Sequence, residues 1–189
     1  MANTNTVFGA SYLMDPFGGS ASGKLLPFVV PATDHTAIFI GDFVTLAGGS
    51  GLSNDLNIGY LPTVKQSAAT EVILGVVEGF GVDPANLEKI YRPADTHRTV
   101  WVNVNYNAFF VMQSADTGAA ADVGKTGDIL VGAGNTFTGL SGMEILHSDL
   151  GTTNGQIKIV GLAPGSEFGL YTKFVVMINE AAYKVVAGA

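Results

Sequence analysis

Gly124-Lys125-Thr126 is the triplet with which a phosphate-binding loop ends. Such a loop cradles phosphates with backbone N–H groups and then opens a helix. The motif requires glycine at position 119, where this chain has Ala119, and the residues that follow, Gly127-Asp128-Ile129-Leu130, read as turn and strand. A lysine in a hairpin-type turn is the expected reading. His35, His97 and His147 lie far apart, and none belongs to the closely spaced pair with which a metal site usually begins. Gly19-Ser20-Ala21-Ser22-Gly23 has the glycines of a nucleophile elbow but alanine at its centre. There is no cysteine, hence no thiol nucleophile, thiolate metal site or disulfide. Glu71 and Glu78 bracket one apolar run at odd spacing, which points them to opposite faces of a regular strand and not at one glycosidic bond. Catalysis, cofactor and metal are therefore not expected.

One cluster remains. Lys89, Arg92, His97 and Arg98 gather the basic residues, with Tyr91 and Trp101 close by. Basic and aromatic residues together can bind single-stranded nucleic acid, but nine basic against sixteen acidic residues give a net charge of −7, and an acidic chain repels phosphate backbones. The expectation is a salt-bridging or interface patch, since arginine and aromatics are favoured in protein contacts, with an ordinary solvated loop as the alternative. Arg92 and Arg98 are its candidate interface residues. No apolar run approaches the length of a transmembrane helix, no basic amphipathic helix suits a membrane surface, and Met1–Ala10 lacks the pattern of a secretory signal.

The elements that must position these residues read as strands. Charged residues make up 13% of the chain against 47% hydrophobic. The usual charged share is about 25%, so the chain is expected to expose much uncharged polar surface and also to bury surface against partners. The 25 glycines are dispersed between β-branched runs, as turns and bulges of an all-β protein are. Leu25–Val30, Ala37–Leu46 (with a break at Gly41-Asp42), Val72–Phe80, Thr99–Val104, Ala108–Gln113, Asp128–Val131, Gly142–Leu146, Gln156–Leu162 and Lys173–Asn179 read as strands. In Thr99–Val104 the valines alternate with Trp101 and Asn103. A hairpin is expected through Asn105-Tyr106-Asn107, a loop from Gly48 to about Asn57, a turn at Asp83-Pro84, a short helix or loop over Thr117–Val123, and a hairpin turn at Asn154-Gly155. The expectation is an all-β fold, a single-domain β-barrel or β-sandwich with long loops, over residues 25–189. Residues 1–24, with linker-like Gly18–Gly23, form an N-terminal arm. Phe8, Tyr12, Leu13, Met14 and Phe17 are too apolar for a purely solvated tail, so the arm is expected to be either disordered or ordered against a neighbouring subunit, with Phe8, Tyr12 and Phe17 as candidate interface residues.

The order of segments resembles a known family. A Phe-Gly polar arm leads to Pro31-Ala32-Thr33-Asp34, then Ile40-Gly41-Asp42-Phe43-Val44, Ile73-Leu74-Gly75-Val76-Val77, Tyr91-Arg92-Pro93-Ala94 and Val100-Trp101-Val102, followed by Asp122-Val123-Gly124, Gly139-Leu140-Ser141-Gly142 and Ile159-Val160-Gly161-Leu162. From about Phe8 to Asn179 this is similar to the head decoration, or cement, proteins of tailed bacteriophages. The resemblance implies a structural virion protein, made in the host cytoplasm and located on the outer capsid surface, with the major capsid protein and further copies of itself as partners. A trimer is preferred over a dimer by analogy with three-fold lattice positions. The alternatives are a tail, spike or head-fibre protein, a carbohydrate-binding β-sandwich using Trp101, Tyr60, Tyr91 and Tyr106, and an enzyme on a β-barrel.

Overall fold

The computed structural model describes residues 3–18, 24–53, 58–83, 86–151 and 154–184. The linker-like residues after Gly18, Pro84, and the start of the Thr152–Gly155 turn lie outside them. The fold is all-β, as the alternation predicts. Strands β1 (Ser11–Met14), β2 (Leu25–Val30), β3 (Phe43–Leu52), β4 (Tyr60–Gln66), β5 (Gly75–Phe80), β6 (Arg98–Asn103) and β7 (Phe109–Gln113) are followed by β8 (Thr126–Gly127), β9 (Ile129–Leu130), β10 (Glu144–Ile145), β11 (Ile157–Leu162) and β12 (Lys173–Ile178).

Five strands close into a barrel in the order β2-β4-β3-β5-β6. The period of two in β6 sends Val100 and Val102 inward, where they meet Phe28, Val30, Val44, Val64 and Val77. A second sheet runs β1-β7-β12-β11-β8, with β9 and β10 as a separate pair. Its inner face, including Phe110, Met112, Ile159, Phe174 and Val176, packs on Phe43 and Val76 of the barrel wall and on Ile73 just before β5. The barrel's outside is thus one wall of a second core, and the two sheets pack into one domain.

Several expectations change. The turn Asn105–Asn107 does not close a hairpin: β6 belongs to the barrel and β7 to the second sheet. The asparagine side chains bend the chain between them, Asn103 Oδ1 accepting from the Asn105 N–H (3.2 Å) and Asn105 Oδ1 from the Asn107 N–H (3.2 Å). The expected loop at Gly48 is part of β3. A bulge between Leu46 and Ser50 absorbs the extra residues, because Gly48 and Gly49 adopt positive φ and the Thr63 hydroxyl donates to the Gly48 carbonyl (2.8 Å). In Thr117–Val123 the helix is a single 3-10 turn, Ala120–Asp122.

The N-terminal segment is built into its own chain. β1 pairs antiparallel with β7, Ser11 opposite Val111 and Tyr12 opposite Phe110. Upstream, Asn3 Nδ2 donates to the Glu167 carbonyl (2.7 Å), and the Thr6 N–H to Gln113 Oε1 (2.9 Å). The separation into an arm, 1–24, and a β domain, 25–189, therefore does not describe residues 3–14, which complete the second sheet.

Three segments cross at Gly9, Gly41 and Ser141. Gly9 has φ +70°, and a Cβ there would lie 2.4 Å from both the Gly41 carbonyl oxygen and the Ser141 Cβ. Backbone cannot yield as a flexible side chain does. Gly9→Ala is therefore expected to destabilise the protein by about 2–4 kcal/mol, combining the left-handed strain with the clash. A denaturant melt shifted by less than ~1 kcal/mol would contradict this crossing.

Candidate functional site

Arg92 and Arg98, expected on the surface, are inside the molecule. Arg92 is 0% exposed and Arg98 5%. The Arg92 guanidinium donates through Nε to the Thr96 carbonyl (2.7 Å), through Nη1 to Thr36 O (2.5 Å), and through Nη2 to Pro31 O (2.7 Å) and Asp34 O (2.9 Å). The Asp34 carboxylate lies 3.4 Å from Nη1. Burial lowers the pKa of Arg92, and the nearby Asp34 and Asp95 charges offset only part of that. Arg98 donates to the carbonyls of Tyr91 (2.5 Å), Lys89 (2.8 Å) and Gly81 (3.1 Å), with its guanidinium 5.0 Å from the centre of the Phe80 ring. Both fork-shaped donors are occupied by the chain's own carbonyls, so neither reaches a partner, and the interface role expected of them is corrected. They hold the segment from Lys89 to Thr96 in shape.

What that segment displays is the candidate site. Glu88, Lys89, Ile90 and Tyr91 form one wall of an open groove of about 470 Å3, and Thr136 and Phe137 form the other. The Tyr91 ring stacks on Phe39 (4.9 Å between centroids, 10° between planes), with the Lys89 ammonium 5.5 Å from its centre. Gly139 fits under Ile90, where a Cβ would lie 2.9 Å from the Ile90 carbonyl oxygen. The opposite wall is a turn closed on itself. Asn135 Oδ1 accepts from the N–H groups of Phe137 (2.9 Å) and Thr138 (3.1 Å), and the Asn135 carbonyl accepts from the Gly139 N–H (2.8 Å). On this turn Phe137 is 91% exposed, and Ile90 is exposed on the facing wall. Sequence reasoning did not single out Phe137. The available signal was an aromatic two residues after an asparagine that can form a local side-chain turn.

The other candidates are scattered. Phe8 is half-buried, with the Lys173 ammonium 5.6 Å from its ring centre. Tyr12 packs edge-on against Phe110 (6.2 Å, 77°), and Phe17 is 83% exposed. Of the aromatics considered for carbohydrate, Tyr60 is exposed, whereas Trp101, Tyr91 and Tyr106 are half-buried. His35 pairs with Asp95, the His97 Nε2 lies 2.6 Å from the Leu52 carbonyl oxygen, and the His147 Nε2 lies 3.2 Å from Asp122 Oδ2. Among the described residues no three His, Cys, Asp or Glu side chains are grouped as a metal would need. Lys125 pairs with Asp122 at 2.8 Å, and β8 follows it.

Lys24, Lys65 and Lys125 are held by Asp15, Glu71 and Asp122, and both arginines are internal. The remaining cations are Lys89, Lys158, Lys173 and Lys184. The surface field is accordingly acidic, which disfavours a polyanion. No family model, curated protein or solved structure matches this chain.

Proposed function

We propose that this chain is a structural virion protein that decorates and stabilises the outer surface of a phage capsid as a homo-oligomer, docking on the major capsid protein through the groove between residues 86–91 and 135–139. The observation that carries the reading is Phe137, an aromatic held almost fully in solvent on a turn that its own hydrogen bonds close. A rigid, exposed aromatic loses little entropy on docking and gains a large apolar burial, which is the character of a binding hot spot. The family resemblance supplies the capsid as the partner. The scarcity of charge supports association over solvation. Binding to the expanded lattice alone stabilises that lattice by RT ln(1 + [L]/Kd) per site, repeated over the shell.

The test is co-sedimentation of the purified protein with expanded capsids. The wild type is expected to bind and to raise the temperature at which capsids release DNA. Phe137→Asp, whose side chain touches no core, is expected to weaken binding at least tenfold, about 1.4 kcal/mol or more, with an unchanged melting temperature. Failure of the wild type to bind capsids overturns the proposal; binding that survives Phe137→Asp removes the groove from it.

A further inference from the structure

We infer that two copies of this chain join edge to edge through β1, so that their five-stranded sheets become one continuous sheet about a two-fold axis. This deepens the proposed function by locating the self-contact, and for its setting on the capsid it rests on that reading. The barrel is closed and has no edge. At the far side of the second sheet, β8 is two residues long, and Gly151 bridges to its Thr126. β1 is different. It pairs with β7 on one side, and among the described residues no strand pairs with its other side. Every second N–H and C=O of such a strand points outward as a template for pairing.

The devices that natural proteins use to block an edge are few here. Ser11–Met14 contains no charged residue and no proline. The first charge after it, Asp15, is buried and neutralised by Lys24. The bulge between Tyr12 and Met14 shortens the usable ladder without covering it. Leu13 (37% exposed) and Met14 (48%) lie on this edge, and Phe17 follows it.

Charge selects the occupant. With a net charge of −7, two copies repel each other except where they meet through an uncharged strip, and the chain carries no charged side chain from Asn3 to Met14. An antiparallel strand is also its own complement: a two-fold axis brings each outward donor to an acceptor of the other copy. The short ladder makes the contact modest, which suits a protein gathered on a repeating shell. A two-fold contact gives a dimer, whereas the sequence reading preferred a trimer.

The absence of cysteine makes the test direct. Leu13→Cys and, as a control on the exposed Val82, Val82→Cys are each treated with a short bismaleimide in the full-length protein. Leu13→Cys is expected to give a covalent dimer and Val82→Cys none. In sedimentation at high micromolar concentration the wild type is expected at dimer mass. Leu13→Lys and Met14→Lys, each with an unchanged thermal melt, are expected to raise the dimer dissociation constant by roughly tenfold or more. Monomeric or trimeric wild type, or equal cross-linking at both positions, overturns the inference. Monomers that still bind capsids would defeat this contact, and with it the homo-oligomer, and leave capsid decoration standing. A β1-linked dimer that ignores capsids would do the reverse.

Discussion

Replacing Arg92 with methionine is expected to cost about 3–5 kcal/mol, enough to lower the melting temperature by roughly 10 °C in a domain of this size. The side chain is of similar length, so packing changes little. What is lost is the set of donors to Thr96 O, Thr36 O, Pro31 O and Asp34 O. Removing one partner from a buried set leaves the others desolvated without compensation, at ~1–3 kcal/mol for each group that water cannot reach. Arg92→Lys is expected to recover only a minor part, since an ammonium cannot span carbonyls arranged around a planar fork. The same variant is expected to loosen Glu88–Tyr91 and to weaken capsid binding, although Arg92 touches no partner. Urea denaturation and hydrogen exchange across residues 86–96 check both effects, and a loss below ~1 kcal/mol would contradict this assignment.

The second large effect concerns pH. Asp42 is fully buried where the barrel meets the second sheet. Its carboxylate accepts from the Phe39 N–H (2.9 Å), Gln66 Nε2 (3.0 Å) and the Ser141 hydroxyl. Burial outweighs these donors and raises its pKa from 3.8 to about 6. A carboxyl whose pKa is higher folded than unfolded binds its proton more tightly in the folded state. Its contribution is therefore complete below about pH 4 and lost as pH rises through about 6. Two units correspond to about 3 kcal/mol. Asn is the nearest mimic of the neutral acid: its oxygen keeps the Phe39 and Gln66 bonds and its amide faces Ser141. Asp42→Asn is thus expected to gain on the wild type by about 3 kcal/mol between pH 4 and pH 7. Glu71 and Asp122, whose pKa values are lowered, contribute oppositely in both proteins and cancel in the difference. A difference flat with pH would contradict the assignment.

The strands with clean alternation or dense β-branching were legible in the sequence, and β2, β6, β7 and β12 lie within a residue of the expected bounds. β4 was hidden because Pro62 and Lys65 interrupt its pattern, although Pro62 sits opposite Ser50 in the ladder. β1 was hidden because Ser-Tyr-Leu-Met lies in a polar, glycine-rich stretch, and a strand whose partner is Val111 has no local signature. Arg92 and Arg98 were read as surface residues by type. Backbone carbonyls from several segments converge on them, and no spacing rule records where a carbonyl points. The groove was illegible for a related reason: its walls, residues 86–91 and 135–139, are distant in the chain and come together where Gly139 fits under Ile90.

The order in which the ladders follow one another along the chain constrains how the protein is made. The barrel strands, β2 to β6, are contiguous in synthesis and can pair while the rest is still in the ribosome. The second sheet cannot: β7 lies between β1 and β12, and β12 ends at Ile178. β1 must therefore wait, unpaired, until β7 is made, and β7 must wait in turn for β12. Ladders between segments far apart in the chain form slowly, because closing the intervening loop costs entropy before any contact compensates for it. During that interval Phe43 and Val76 on the barrel wall, and Ile73 just before β5, lack their cover. A nascent chain stalled just after β6 would be a folded barrel with a greasy flank, and crowding of such chains, more than any weakness of the finished fold, is where misassembly would begin.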